Sequence, residues 1–163
     1  MQRERVRTGA LIAAVMVAGV SLAAPPAVAS APRPADTITP LLEQRIKTGR
    51  VDDVVVDIRW PFQTGRATCR ISGDGVGLWD RRVQFRLPPK EISSLLESVA
   101  RSGFGSLPKT IGGTPNVQSR QKGQFTLSVG AATKTVVQLE TGDQSTALEG
   151  LAEAFLRASA SAA

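Results

Sequence analysis

The chain has 163 residues, 20 Lys and Arg against 14 Asp and Glu, a net charge of +6, one cysteine and no histidine. That length allows one domain, and a single cysteine excludes an intrachain disulfide. Without a disulfide, the hydrophobic core must stabilise the fold unaided. The absence of histidine from the sequence removes the commonest general base and metal ligand, so serine–histidine catalysis is excluded.

The first 29 residues have the pattern of a cleavable signal peptide. Three arginines among the first seven residues are followed by an apolar run over residues 9–24 and by Ala-Val-Ala at residues 27–29, the small-x-small pattern of a signal peptidase site. A retained membrane anchor is the less favoured alternative, because the run of about 16 residues is shorter than the roughly 20 needed to span a bilayer. Cleavage after this motif predicts a secreted protein, periplasmic or extracellular, without a membrane span. Its 17 basic and 13 acidic residues give a net charge of +4.

Residues 30–50 are predicted to form a flexible leader. Its first part is rich in Pro, Ala and Thr, and residues 41–47 could add one or two helical turns that end at Gly49. A single α+β domain is predicted to follow over residues 51–160.

Three extended segments are predicted at the start of this domain. Residues 53–60 and 66–71 alternate apolar and polar side chains, which is typical of half-buried strands. The Asp-Gly pair at 74–75 favours a hairpin turn because these residues readily take a positive φ. A third extended stretch covers residues 76–87, with a break near Asp80.

The hydrophobic period then changes. Residues 90–102 predict an amphipathic helix after two prolines, whereas residues 108–122 contain two Pro and two Gly without periodicity and predict a long irregular loop. Strands are predicted at 124–129 and 134–140, and a second amphipathic helix at 144–158. In the last strand the pattern assigns three residues to the core: Thr135, Val137 and Leu139.

Strands joined by short turns pair antiparallel, and two amphipathic helices must bury their apolar stripes. The sequence therefore predicts an α+β fold with a five-stranded antiparallel sheet and two helices packed on one face. In this arrangement a strand–strand–helix scheme occurs twice, and the other face of the sheet is left to solvent or to a partner.

That second face is predicted to be basic. The alternation assigns six cationic residues to it: Arg59, Arg66, Arg70, Arg82, Arg86 and Lys134. Guanidinium groups bind carboxylate or phosphate in a bidentate manner, which favours an acidic protein or an anionic polymer as partner. The alternative is an ordinary solvated face, on which long cationic side chains cover the sheet and deter edge pairing. Exposed aromatic residues are not interleaved with these cations, so specific nucleic-acid binding is not predicted.

Sequence motifs for catalysis or cofactors are few. The Ser-x-x-Lys pattern of serine β-lactamases occurs at 106–109 and at 119–122 without the companion motifs of those enzymes. The glycine-rich segment 72–77 connects two strands, whereas a phosphate-binding loop must lead into a helix, and it offers too few ligands for calcium. We therefore expect no metal and no cofactor. The adjacent acids at 52–53 leave general acid–base catalysis open.

The single cysteine alternates with apolar neighbours. Cys69 lies between Ala67 and Ile71 in the pattern of the second strand, which predicts a buried thiol that behaves as a small hydrophobe. A reactive nucleophile or an intermolecular disulfide is the alternative.

Three segments carry a further pattern: Cys-Arg-Ile-Ser-Gly-Asp-Gly-Val-Gly-Leu-Trp at 69–79, Leu-Pro-Pro-Lys-Glu at 87–91 and Ser-Gly-Phe-Gly-Ser-Leu at 102–107. With their strand, Asp-Gly hairpin, second strand, helix and Gly-Phe-x-x-Leu, they resemble a group of bacterial exported and lipoprotein-type domains of unknown function. The resemblance implies a fold rather than an activity, because these motifs encode turn and core positions. Members often carry a lipobox or a strand with Tyr or His, and this sequence has neither.

The sequence thus favours a secreted, non-enzymatic binding module whose contact surface is the basic sheet face together with the loop 108–122. Inhibition or shielding of an extracellular or envelope protein would suit such a module. The alternative is a small exported hydrolase or accessory enzyme that uses carboxylates, and a structural partner in an envelope complex is a third interpretation, marked by an exposed apolar patch. For an enzyme, five carboxylates would be expected to converge rather than scatter: Asp52, Asp53, Asp57, Asp74 and Asp80.

Overall fold

The computed structural model describes residues 35–63 and 65–163, so the predicted signal peptide and the first residues of the predicted leader lie outside the described residues. The elements, in chain order, are α1 (Ile38–Thr48), β1 (Val54–Phe62), β2 (Gly65–Ser72), β3 (Val76–Trp79), β4 (Val83–Arg86), α2 (Pro89–Arg101), a 3₁₀ turn (Phe104–Ser106), β5 (Thr110–Ile111), β6 (Gln121–Val129), β7 (Ala132–Leu139) and α3 (Thr146–Ala162). Within this part of the chain no helix is long and apolar enough to cross a membrane.

All seven strands belong to one sheet with the order β4-β3-β2-β1-β6-β7-β5. Five neighbouring pairs are antiparallel, and β5 pairs with β7 in parallel. The prediction of a five-stranded antiparallel sheet with two helices is therefore wrong, because the sheet has seven strands, is mixed and carries three helices. The α+β class remains.

A tight turn divides the predicted third strand into β3 and β4. The backbone N–H of Arg82 donates to the carbonyl of Trp79 at 3.0 Å, and the two residues between them take positive φ angles, 46° at Asp80 and 60° at Arg81. The Asp80 carboxylate accepts the N–H of Thr68 at 2.8 Å, and the Asp80 N–H donates to the Thr68 carbonyl at 2.8 Å. These bonds tie the turn to β2, which favours a conformation that non-glycine residues rarely adopt.

The predicted leader contributes a helix to the core. Leu42 of α1 is fully buried, and the helix ends at Gly49 in the left-handed conformation. The Asp36 carboxylate accepts the N–H of Thr39 at 2.9 Å and so caps the first turn. Burial alone would raise the pKa of Asp36, but the hydrogen bonds from Thr39 outweigh it, and the pKa is lowered. Residues 38–48 are therefore an integral part of the packed domain.

Three phenylalanine rings from separate elements meet at the centre of the core. Phe125 of β6 packs against Phe104 of the 3₁₀ turn with ring centroids 5.0 Å apart, and against Phe155 of α3 with centroids 5.8 Å apart. All three side chains are completely buried. The apolar sides of α1, α2 and α3 join the same core cluster as one face of the sheet, so the helices cover one face.

The predicted orientation of β7 is wrong. Val136 and Gln138 point into the core, while Thr135, Val137 and Leu139 lie on the other face. Burial of Gln138 is tolerated because its amide is fully used, accepting the N–H of Ser145 at 3.1 Å and donating to the carbonyl of Asp143 at 3.0 Å. A buried glutamine that is satisfied by backbone groups outside its own strand cannot be predicted from alternation.

Candidate binding face

The sheet surface opposite the three helices is here called the open face. Side chains reach it from six strands by alternation with the core residues: Val55, Asp57, Arg59, Arg66, Thr68, Arg70, Leu78, Gln84, Arg86, Gln124, Thr126, Ser128, Thr133, Thr135, Val137 and Leu139. The strands β1, β2 and β4 supply arginines, β3 supplies Leu78, and β6 and the first part of β7 supply hydroxyl and amide groups. The face therefore has a cationic half (β1–β4) and a neutral half (β6–β7).

Two depressions meet near the centre of the open face. The central depression, of about 310 Å³, is lined by residues that include Asp57, Arg59, Thr68, Arg70, Leu78 and Arg81. The second depression, of about 370 Å³, shares Asp57, Arg59 and Arg70 and extends over the neutral half to Ser128 and Thr135. Such volumes are at the lower end of those that hold small ligands or protruding side chains.

The strand register explains why these residues converge. Asp57 lies directly opposite Arg70 on β2 and opposite Thr126 on β6, while Arg59 lies opposite Thr68. Arg59 and Arg70 thus stand at diagonal corners of a four-residue square, a separation of roughly 7–8 Å that long side chains can bridge. Two guanidinium groups from adjacent strands can therefore approach the same ligand.

The six cationic residues that the sequence assigned to this face lie in different surroundings in the structure. Arg59 and Arg70 line both depressions, and Arg86 lies on the open face of the edge strand β4. Arg66 also lies there, but its Nη2 donates to the carbonyls of Gln121 at 2.8 Å and Lys122 at 3.2 Å, where β6 has a register shift. Arg66 is thus committed to bonds within the sheet.

The other two predicted residues lie elsewhere. Arg82 is exposed in the turn between β3 and β4, and Lys134 is on the helix-covered face, where its Nζ donates to the Leu107 carbonyl at 2.6 Å. Lys134 is also close enough to help lower the pKa of Asp36. Arg81 was not predicted but lines the central depression. Its position in a turn removes it from any alternation, so no sequence pattern could have found it.

The arginines of the central depression have no acidic partner in the part of the chain that the structure describes. Among the described residues the structure has four ion pairs, and none of them includes Arg59, Arg70 or Arg81: they are Arg45–Asp53, Arg101–Glu97, Lys122–Glu149 and Arg157–Glu153. Asp57 shares the depression with Arg59, Arg70 and Arg81, and the Asp80 carboxylate accepts the N–H of Thr68 at its wall, so three positive charges outnumber two negative charges. This unbalanced charge makes the depression attractive to an anion.

The neutral half is internally hydrogen-bonded. The hydroxyl groups of Thr126 and Thr135 are 3.0 Å apart, and those of Ser128 and Thr133 are also 3.0 Å apart. These cross-strand pairs stabilise the β6–β7 ladder and use part of the hydrogen-bonding capacity of the surface. Selective anion binding is therefore expected on the cationic half.

The five carboxylates considered for catalysis do not converge. Asp53 is bound to the guanidinium of Arg45 at 2.7 Å, and Asp80 caps the N–H of Thr68. Asp74 accepts hydrogen bonds from the Ser72 hydroxyl and, at 3.1 Å, from the Val76 N–H, which lower its pKa. Asp52 is exposed before β1, and Asp57 alone lies in a depression. In residues 35–63 and 65–163 no three acidic or thiol side chains are grouped to hold a metal.

The loop 108–122 lies at the opposite edge of the sheet from the arginines. Its first residues form β5 beside β7, and its later part is tied down where Gly113 N–H donates to the Thr141 carbonyl at 2.6 Å and Glu140 N–H to the Arg120 carbonyl at 2.9 Å. The strands β6 and β7 separate β5 from the arginine-bearing strands, and it is the last two residues of the loop, Gln121 and Lys122, that contact an arginine of those strands, Arg66. The part of the loop before Gln121 and the cationic half therefore do not form one continuous surface.

Cys69 lies in the core, and its thiol is unsuited to nucleophilic chemistry. The Sγ donates to Ser159 Oγ at 3.1 Å, and burial raises the pKa of the thiol to about 11. We expect the native protein at pH 8 to react with iodoacetamide on the order of 100-fold more slowly than an unfolded chain, because only the thiolate is nucleophilic. Alkylation followed by mass spectrometry, with and without urea, measures this; equal rates in both conditions would show that Cys69 is accessible.

A comparison of the chain with protein-family models, with curated proteins and with solved structures finds no match in any of the three. The architecture and the open face therefore define the protein only as an α+β domain with one helix-covered and one open sheet face.

Proposed function

We propose that this chain is a secreted, non-enzymatic binding module that holds an acidic partner against the cationic half of its open face. The observation that carries the proposal is the convergence of Arg59, Arg70 and Arg81 around a depression, with no ion pair to any acidic group among the described residues. A guanidinium group is weakly hydrated and forms charge-assisted bidentate bonds, so it can exchange water for a carboxylate at low cost.

The shape of the domain supports the same proposal. All three helices pack on one face of the sheet, so the other face presents side chains on rigid, hydrogen-bonded strands. Binding groups on strands lose little conformational freedom when a partner docks, because the backbone is already ordered. Binding one extracellular or envelope protein in this way would allow the module to inhibit or shield it.

A carboxylate-based hydrolase is less well supported. Such an enzyme needs two acidic groups on either side of one substrate bond. Asp53, Asp74 and Asp80 are used in ion pairs or turns, which leaves Asp57 as the acidic group that lines the central depression. One carboxylate flanked by arginines suits electrostatic binding better than paired acid–base chemistry.

The proposal is tested with poly-L-glutamate as the acidic probe. The chain is recovered from the medium of an expressing host, its N-terminus is read by mass spectrometry with Ser30 expected first, and binding of fluorescent poly-L-glutamate is followed by anisotropy. We expect binding at low salt that is largely lost near 1 M salt, where the Debye length falls to about 3 Å. The double variant Arg59→Gln/Arg70→Gln should weaken low-salt binding by at least about tenfold, since each charge-assisted hydrogen bond contributes about 1.5–3 kcal/mol.

The matched control removes the same charge from the helical side. Lys47 and Lys90 are exposed on α1 and α2, so Lys47→Gln/Lys90→Gln should change the affinity by less than about twofold if the contact is local. Equal losses in the two double variants would mean that net charge alone drives binding. That result, an absence of binding, or a chain that retains residues 1–29 would contradict the proposal.

A further inference from the structure

The central depression combines three guanidinium groups with an apolar wall. Leu78 of β3 lies directly opposite Arg70 on β2, is 43% exposed, and lines the same depression. An exposed leucine beside arginines gains nothing from a purely ionic ligand, because its contribution to binding requires apolar contact. The depression is therefore matched to a ligand that carries both an acidic and an apolar group.

Arg81 is held over the depression by a fixed turn. Arg81 has a φ of 60° and follows Asp80, which has a φ of 46°. The Asp80 carboxylate accepts the N–H of Thr68 at 2.8 Å, and the Asp80 N–H donates to the Thr68 carbonyl, also at 2.8 Å. The turn thus fixes the backbone of Arg81, the third arginine that lines the depression with Arg59 and Arg70. A backbone fixed before binding avoids the entropy cost of ordering it in the complex.

Asp57 limits how much negative charge the depression can accept. Asp57 lies two residues from Arg59 on β1 and opposite Arg70 on β2, so a densely charged phosphate or sulfate chain on these arginines would also meet a like charge. One acidic side chain can bind the guanidinium groups and still avoid Asp57. The charge pattern therefore favours a sparsely acidic polypeptide over an anionic polysaccharide.

We infer that the central depression receives a single acidic side chain from an extended polypeptide, while an apolar residue two positions away packs on Leu78. Alternate residues of an extended chain lie on the same side and roughly 7 Å apart. An acidic residue that binds between Arg59 and Arg70 therefore leaves the next residue on that side within reach of Leu78, which lies one strand beyond Arg70. The inference rests on the proposed function and specifies the partner's chemistry. It assigns affinity to the arginines and selectivity to Leu78.

The test uses two synthetic peptides of equal charge and one sulfated polymer. One peptide consists of Glu-Ser-Leu-Ser repeats, the other of Glu-Ser-Ser-Ser repeats, and the third probe is a heparin oligosaccharide. Binding of each labelled probe to the exported chain is followed by anisotropy. We expect the leucine peptide to bind about fivefold or more tighter than the serine peptide, and Leu78→Ser to abolish this difference, because the leucine side chain of the peptide removes apolar surface from water when it packs on Leu78.

Three single arginine variants locate the contact. Arg81→Asn keeps a residue that tolerates the left-handed conformation and should weaken the leucine peptide about tenfold. Arg50→Asn, at an exposed position between α1 and β1, removes the same charge and should change little. Arg86→Asn probes the same face outside the depression and should have an intermediate effect of about twofold. Thermal unfolding followed by circular dichroism confirms that each variant is folded.

Each alternative result is decisive. Equal binding of the two peptides, or equal losses from Arg81→Asn and Arg86→Asn, would overturn the inference while the wider cationic-face proposal stands. Tightest binding of the heparin oligosaccharide, unaffected by Leu78→Ser, would replace the polypeptide with an anionic polymer. If neither peptide nor poly-L-glutamate nor heparin binds, both the inference and the proposed function fail.

Discussion

Phe125→Ala is expected to lower the free energy of unfolding by about 3–5 kcal/mol. The Phe125 ring is completely buried between Phe104 and Phe155, so its removal leaves a cavity among a 3₁₀ turn, a central strand and the last helix. A domain of this size has a total stability of about 5–15 kcal/mol, and without a disulfide it has no other cross-link to compensate. The variant should therefore be close to unfolding at 37 °C.

Urea denaturation followed by tryptophan fluorescence measures this loss, since Trp60 is buried in the same core. Val117→Ala is the control, because Val117 is 53% exposed in the loop between β5 and β6, and surface truncations usually change stability by less than about 0.5 kcal/mol. A loss below about 1 kcal/mol for Phe125→Ala would mean that the three rings do not form the centre of the core.

Elements with strong local periodicity could be predicted from the sequence. The alternation in residues 53–60 corresponds to β1, and the helical spacing in residues 90–102 and 144–158 corresponds to α2 and α3 with shifted ends. In each case neighbouring residues along the chain determine which side is buried, so distant contacts need not be known. The placement of Arg59 and Arg70 on the open face follows from the same local rule.

The orientation of β7 could not be predicted in this way. Thr135, Val137 and Leu139 form the more apolar phase, whereas the phase that is buried contains Lys134 and Gln138 beside Val136, so local sequence favours the wrong phase. The choice is made by the register with β6, which pairs Val136 with Phe125, and by the backbone groups that satisfy Gln138 in the core. Lys134 is in the same phase as Val136 and Gln138, so it lies on the helix-covered face and is not part of the predicted basic surface.

The missed strands depend on contacts between distant residues. β5 is two residues long and pairs with β7 more than 20 residues later in the chain, beyond the reach of any periodic pattern. The division of β3 from β4 depends on positive φ angles at two charged residues, stabilised by Asp80 bonding to Thr68. The same turn positions Arg81, so the least predictable part of the fold also completes the candidate site.

Several arginines on one face do not by themselves define a binding site. Arg66 is engaged by carbonyls of β6, Arg82 lies in a turn, and Arg86 lies at the sheet edge. Arg59, Arg70 and Arg81 differ because they share one concave surface with Leu78. Shape therefore reduces a broad basic face to a local site, and position-specific variants rather than net charge must decide its role.

Gly73→Ala is expected to destabilise the domain by about 3 kcal/mol, at the upper end of the usual cost of overpacking. An added Cβ would lie 1.9 Å from the carbonyl oxygen of Val51 and 2.9 Å from its Cβ. Neither backbone segment can move freely, because the Val51 carbonyl accepts the N–H of Val54 at 3.0 Å and the Gly73 N–H donates to the Val54 carbonyl at 2.8 Å. Relief of the clash would break hydrogen bonds at the start of β1.

Gly65→Ala provides the matched control, since a Cβ at Gly65 would meet no atom within 4 Å and its φ is not in the left-handed region. The same substitution there should be neutral or stabilise the domain by up to about 1 kcal/mol, because alanine restricts the unfolded chain. Urea denaturation of both variants gives the comparison. Similar stabilities would show that the 51–54 turn does not pack against the end of β2, whereas a large difference would show that this close approach requires glycine at position 73.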